Sequence, residues 1–107
     1  MKLANWLETR TPAAPPLLLD RLRGALGSDL TRDADASFEI CLSAAERLLT
    51  TILTEGSGSR SQAVDLLAAD ALVTYAFEAA SSEADRLAQR ADAAMARLAA
   101  LAGGASS

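Results

Sequence analysis

Three polar side chains on one predicted helix could take part in chemistry together. Asp70, Thr74 and Glu78 follow one another at intervals of four residues, so they share one helical face. Tyr75 lies beside them in the sequence. Two carboxylates and two hydroxyl groups among apolar walls could hold a small apolar ligand, or a cation such as a ligand's amine. These four residues are therefore a candidate ligand pocket.

The same spacing has a simpler interpretation. Asp70 and Glu78 would then form a strip that faces water or pairs with Arg47 or Arg86. Two carboxylates without further ligands are a weak signal for a metal site. We therefore predict neither a metal nor a cofactor, and we keep the ligand pocket as the alternative hypothesis.

Other catalytic and metal-binding patterns are incomplete in this sequence. The chain has no histidine, which excludes Ser-His-Asp triads and histidine-based zinc or di-iron sites. Asp33 and Asp35 resemble the start of a calcium loop, but Phe38 stands where the loop needs glycine and Ala44 where it needs glutamate. We interpret these acids as favourable charges at a helix start.

The single cysteine and the glycine-serine connection also lack the partners that chemistry would need. Cys41 falls on an apolar helical stripe with no histidine to activate it, so we predict a buried, unreactive thiol. Residues 56–59 precede Arg60 but lack the Gly-Lys-Ser/Thr ending of a phosphate loop. We interpret them as a flexible connection. With carboxylates, Arg60 and Tyr75 as the remaining candidates, we predict no catalytic residues and no enzyme.

The charge pattern narrows the classes of partner. The formal net charge is -4, with a mildly basic stretch over residues 1–32 and an acidic remainder. An acidic body repels phosphate backbones and anionic lipids, so we expect no nucleic-acid or membrane binding. The first residues show no signal-peptide pattern, and we expect a cytoplasmic protein.

The element that must position these residues is a stretch without glycine or proline, residues 59–102. Apolar residues repeat along it at alternating intervals of three and four, which is a heptad-like helical stripe. Asp70 alone interrupts the series. Its apolar members are Ala63, Leu66, Val73, Phe77, Ala80, Ala84, Leu87, Ala91, Ala94, Leu98 and Leu101.

The helical patterns predict an all-α fold, a small antiparallel bundle of three long helices with one or two short N-terminal helices. The long helices are predicted at 33–55, 60–80 and 82–101. Pro15 and Pro16 suit the start of a preceding helix, and Gly27 suits its end. We expect one domain over residues 1–107, with 1–11 as an N-terminal arm and 103–107 as a disordered tail.

The point where the third helix ends is open to two interpretations. Ser82 followed by Asp85 resembles a capping box, which would start a new helix. The stripe nevertheless continues in phase across this point. An unbroken helix would be about 60 Å long, too long for a monomer of this size to cover, and would demand a dimer. We favour the break at Ser81-Ser82.

The function that these patterns favour is association through helices. We predict a non-enzymatic protein that acts as an adaptor, a regulatory partner or a self-associating domain, with a second copy (a dimer) or another protein as its partner. The N-terminal candidates include a tryptophan, a residue enriched at binding hot spots. A single tryptophan near a terminus can instead hold that terminus on the protein's own core. The candidate contacts are Leu3, Trp6, Leu7, Val64, Leu67 and Tyr75.

Overall fold

The computed structural model describes residues 1–55 and 58–105, and it is all-α as predicted. Among those residues there is no strand, and the one isolated bridge pairs Lys2 with Asp33. Short 3₁₀ turns cover Gly27–Thr31 and Ala34–Ala36. The α-helices are α1 (Leu3–Arg10), α2 (Pro16–Leu26), α3 (Ser37–Glu55) and α4 (Arg60–Ala105).

The prediction of three long helices with a break at Ser81-Ser82 is wrong, because α4 is one helix of 46 residues. A serine inside a helix costs roughly 0.5 kcal/mol relative to alanine. A break would instead leave backbone groups at two new helix ends without intrahelical partners. Ser82 and Asp85 therefore stay inside the helix and form no capping box.

The unbroken helix gives the molecule its shape. A helix of this length spans about 69 Å at 1.5 Å per residue, and the molecule measures 73 × 23 × 23 Å. The second half of α4 extends past the other helices, and every residue from Glu83 to Gly104 is exposed. α4 includes Gly103 and Gly104, within the tail expected to be disordered, whereas residues 106–107 lie outside the described range, as do residues 56–57 of the expected flexible connection.

The hydrophobic core lies between the first half of α4 and the three preceding helices. α3 packs along that half, and α2 lies against both of them. Small residues of α3 and α4 allow the two helices to approach closely, while leucines of α1 and α2 fill the rest. The buried cluster consists of Leu3, Leu7, Leu22, Leu26, Ile40, Cys41, Ala44, Ala45, Ala68, Leu72 and Ala76.

The N-terminal segments are held by the caps that the sequence indicates. Pro16 begins α2, and Gly27, with φ of +52°, caps its end by donating its N–H to the Arg23 carbonyl. Positive φ is strained for residues with a Cβ, which explains the glycine. The N–H of Leu3 donates to the Arg32 carbonyl over 2.8 Å and ties the start of α1 to this turn region.

Within the described residues, no helix has both the length and the apolar character needed to cross a membrane.

Candidate functional site

The four residues of the candidate ligand pocket do not enclose a cavity. Asp70 and Thr74 are exposed. The Thr74 hydroxyl donates to the Asp70 backbone carbonyl over 3.1 Å, so this hydroxyl is engaged within the helix. These two residues therefore belong to the surface of α4.

Tyr75 and Glu78 are instead engaged by α1. The Arg10 Nη1 lies 3.1 Å from the Glu78 Oε2, and the Arg10 guanidinium stacks 5.6 Å from the centre of the Trp6 ring. Trp6 in turn meets Tyr75 edge to face, with ring centres 6.5 Å apart. Burial, with smaller contributions from the Glu78 and Cys41 charges, raises the pKa of Tyr75. This cluster fixes α1 on α4.

The arginine partners suggested by sequence are not the ones that the structure brings to these acids. Arg10, from the other end of the chain, pairs with Glu78. Arg47 donates to the Ala25 carbonyl over 3.0 Å and so joins α3 to α2. Arg86 lies beyond the bundle, where it lines a groove.

The candidate partner contacts divide into buried and accessible residues. Leu3 and Leu7 are 0% and 2% exposed, so they are part of the core and are not accessible to a partner. Trp6, Val64 and Tyr75 are half-buried, and Leu67 is 59% exposed. Leu67 is therefore the most accessible of the six candidate contacts.

Cys41 is fully buried as predicted. Burial raises the pKa of its thiol to about 11, so the reactive thiolate is scarce at neutral pH. Within the described part of the chain, no group of three or more histidine, cysteine, aspartate or glutamate residues could hold a metal ion.

A groove of about 640 Å³ lies where α4 leaves the bundle. Trp6 and Phe38 form its bundle side, and Ser82, Arg86 and Arg90 are among the residues of its α4 side. No pattern in the sequence predicts this groove. The helical stripe gives no sign of where α1 and α3 stop covering α4, and that boundary creates the groove.

The main feature of α4 is an apolar seam whose large residues are mostly exposed, although Val73 packs against the core and Phe77 contacts Phe38 of α3. We define the α4 seam as the twelve heptad positions of the stripe, Asp70 included. Leu66, Phe77, Leu87, Leu98 and Leu101 of this seam are 54–71% exposed. Leu67 and Met95, which flank the seam, are 59% and 66% exposed. Every exposed large apolar residue of α4 thus lies on the seam or beside it.

A different face of α4 packs against the bundle. Its buried residues are centred about 100° around the helix from the first half of the seam, residues 63–80, at 100° per residue. This explains why the first half of α4 is apolar nearly all round: one face packs in the core, and the neighbouring face is only partly covered. The buried residues of α4 are Gln62, Asp65, Ala68, Ala69, Leu72 and Ala76.

The charges near the seam are sparse. Asp70 is the one charged seam residue, and it is exposed. Glu83, Arg90 and Arg97 flank the seam on one side and are also exposed. Among residues 1–55 and 58–105, neither the Asp70 carboxylate nor the Arg97 guanidinium takes part in an ion pair.

An all-α fold with one uncovered heptad seam defines a helical protein with a coiled-coil-like surface. Comparison of the chain with protein-family models, curated proteins and solved structures gave no match.

Proposed function

We propose that this protein acts through helix–helix contacts made by the α4 seam, without enzymatic chemistry. One observation carries the proposal: the seam keeps its heptad phase from Ala63 to Leu101 while its large apolar residues remain exposed. Contiguous exposed apolar surface on a folded protein is characteristic of an interaction site. A second helix is the partner that a heptad pattern fits.

The length of the seam supports the same proposal. On a straight α-helix a strict heptad stripe drifts by about 20° per heptad, so it stays on one side only when two helices supercoil. The seam covers more than five heptads. The buried core residues of α4, Ala68, Leu72 and Ala76, are not seam residues, so a second helix could pack along the seam without displacing them.

We also propose that the helices pack as the antiparallel bundle predicted from the sequence, and that this bundle holds α4 in place. The contact between Phe38, near the start of α3, and Phe77, in the middle of α4, supports this arrangement. Their ring centres are 6.2 Å apart, whereas Glu55 and Arg60 adjoin the connection between the two helices. An adaptor, a regulatory partner and a self-associating domain would all use the seam in the same way.

The proposal is tested by photocrosslinking in cells that express the full chain. A photoreactive phenylalanine analogue replaces Leu98, which is on the seam, or Ala96, which is also exposed and lies on the opposite face. We expect a discrete crosslinked protein from position 98 and none from position 96, because only the seam contacts another helix.

The mass of the crosslinked product identifies the kind of partner, since the chain is 11.1 kDa. A product of twice that mass indicates a second copy, and any other discrete mass indicates a different protein. No product from position 98, or equal products from both positions, would contradict the proposal.

A further inference from the structure

We infer that the α4 seam pairs with the seam of a second copy of this chain, the two helices running antiparallel and overlapping over residues 63–101. The inference rests on the proposed function and names its partner and orientation. It starts from Asp70, the one charged residue among twelve seam positions.

A parallel pairing would bring like charges together. In a parallel, in-register coiled coil each seam residue faces its own copy, so Asp70 would face Asp70 between the helices. Two carboxylates at one partly desolvated level repel each other, and neither has a compensating cation there. The parallel arrangement is therefore disfavoured by the residue that interrupts the stripe.

The antiparallel pairing with full overlap removes this conflict. Because of the heptad spacing, each seam residue between the two helices then faces one seam residue of the second copy, and the two residue numbers sum to 164. Asp70 faces an alanine, and Ala63 meets a leucine, so small residues face larger ones at these levels. The six pairs, each formed twice by symmetry, are Ala63 with Leu101, Leu66 with Leu98, Asp70 with Ala94, Val73 with Ala91, Phe77 with Leu87, and Ala80 with Ala84.

The same register supplies the cation that Asp70 lacks. It sets Arg97 of the second copy at the level of Ala69, on the flank of the seam that the bundle buries. From there the long guanidinium side chain has to reach across the seam to the exposed Asp70 carboxylate. Because the arrangement is symmetric, this ion pair forms twice. Asp70 and Arg97 are both exposed and belong to no ion pair within the described part of a single chain.

The flanking apolar residues fit the register as well. Leu67 of one copy lies opposite Met95 of the other, again twice by symmetry. These are the two large exposed apolar residues of α4 outside the seam itself, at 59% and 66% exposure. The antiparallel register therefore covers every large apolar side chain that α4 leaves exposed.

Disulfide trapping tests both the partner and the orientation. In a full chain that carries C41A, so that the native thiol is absent, L66C and L98C are made as separate variants. Each is oxidised with glutathione disulfide alone and after mixing. We expect a disulfide-linked dimer from the mixture and none from either variant alone, because position 66 faces position 98 of the second copy.

The other outcomes separate this inference from the proposed function. Disulfide dimers of L66C alone and of L98C alone would show a parallel pair and overturn the orientation, while the seam would still be the contact surface. If no variant crosslinks and light scattering gives 11.1 kDa at all concentrations, the second copy is refuted. The proposed function would then require that the photocrosslinked product from position 98 contain a different protein.

Charge exchange provides a second test that needs no cysteine. R97E should weaken dimerisation several-fold, since it places two carboxylates side by side, and adding D70R should restore it. R86E, on the same helix but away from the seam, is the matched control and should leave dimerisation unchanged. Equal dimerisation by R97E and the unmodified chain would overturn the Asp70–Arg97 pair and the register with it.

Discussion

The Nε atom of Arg21 lies 2.8 Å from the Oδ1 atom of Asp65, which joins α2 to the bundle-facing side of α4. The Asp65 side chain is 11% exposed and the Arg21 side chain 43% exposed. The Oδ1 atom accepts no well-directed hydrogen bond despite the short separation, so the contact is an ion pair. It fixes α2 against α4, the helix that carries the seam.

Replacing Arg21 should destabilise the bundle. R21A leaves the Asp65 carboxylate buried without a cation, which we expect to lower the free energy of unfolding by about 1–3 kcal/mol, less than for a fully buried pair. Urea unfolding followed by circular dichroism measures this change. R23A, an exposed arginine on the same helix, is the control, and equal effects of the two variants would contradict the role of the ion pair.

Trp6 should be the main contact that fixes α1 on α4. W6A removes the ring contact with Tyr75 and the stacking of Arg10, and we expect the free energy of unfolding to fall by about 2 kcal/mol. W6F, which keeps a ring, should lose about half as much. Urea midpoints followed by circular dichroism test this, and a midpoint unchanged in W6A would show that the cluster contributes nothing.

The sequence could predict the helical class, the caps and the seam, because these depend on local spacing. Gly27 and Pro16 act as the sequence indicates. The break at Ser82 could not be decided locally, since a capping box and a helix interior use the same residues there. The continuous helix prevails because ending it would sacrifice backbone hydrogen bonds.

The candidate site was harder to predict from the sequence than the helices were, because it depends on which helix faces pack together. The stripe from Ala63 to Leu101 suggests a core, yet the core uses the neighbouring face that contains Ala68, Leu72 and Ala76. A heptad pattern indicates that a face packs against another helix, but it does not show which helix that is. The pairing of Glu78 with Arg10, 68 residues away in sequence, has no local signal.

Cys41 should make stability depend on alkaline pH. Burial raises the pKa of the folded thiol from 9.0 to about 11, so the folded state favours the neutral form. The stabilising contribution is complete below pH 9 and is lost as the pH rises from 9 to 11, by at most about 3 kcal/mol.

The measurement for Cys41 compares the unmodified chain with C41A. Tyr75 also has a raised pKa, to which the Cys41 charge contributes. The difference between the two pH profiles therefore reports the thiol together with its effect on Tyr75. We expect the unmodified chain to lose stability more steeply between pH 9 and 11. Parallel profiles would contradict the burial of the thiol.

Glu83 provides a prediction specific to the antiparallel register. At the centre of that register Glu83 faces Glu83 of the second copy, whereas in a parallel pair it faces Ala88. We therefore expect E83Q to tighten dimerisation about twofold at low salt, as measured by sedimentation equilibrium. Q89E, on the opposite face of α4, should have no such effect, and an unchanged dissociation constant for E83Q would argue against this register.

Amide hydrogen exchange along α4 tests most directly whether a second helix covers the seam. At low protein concentration, residues 84–101 form an uncovered helix and should exchange rapidly, while residues 62–76 are protected by the bundle. At high concentration we predict that exchange over residues 84–101 slows by at least about tenfold. Rapid exchange over these residues at every concentration would contradict the pairing of the seam with a second copy.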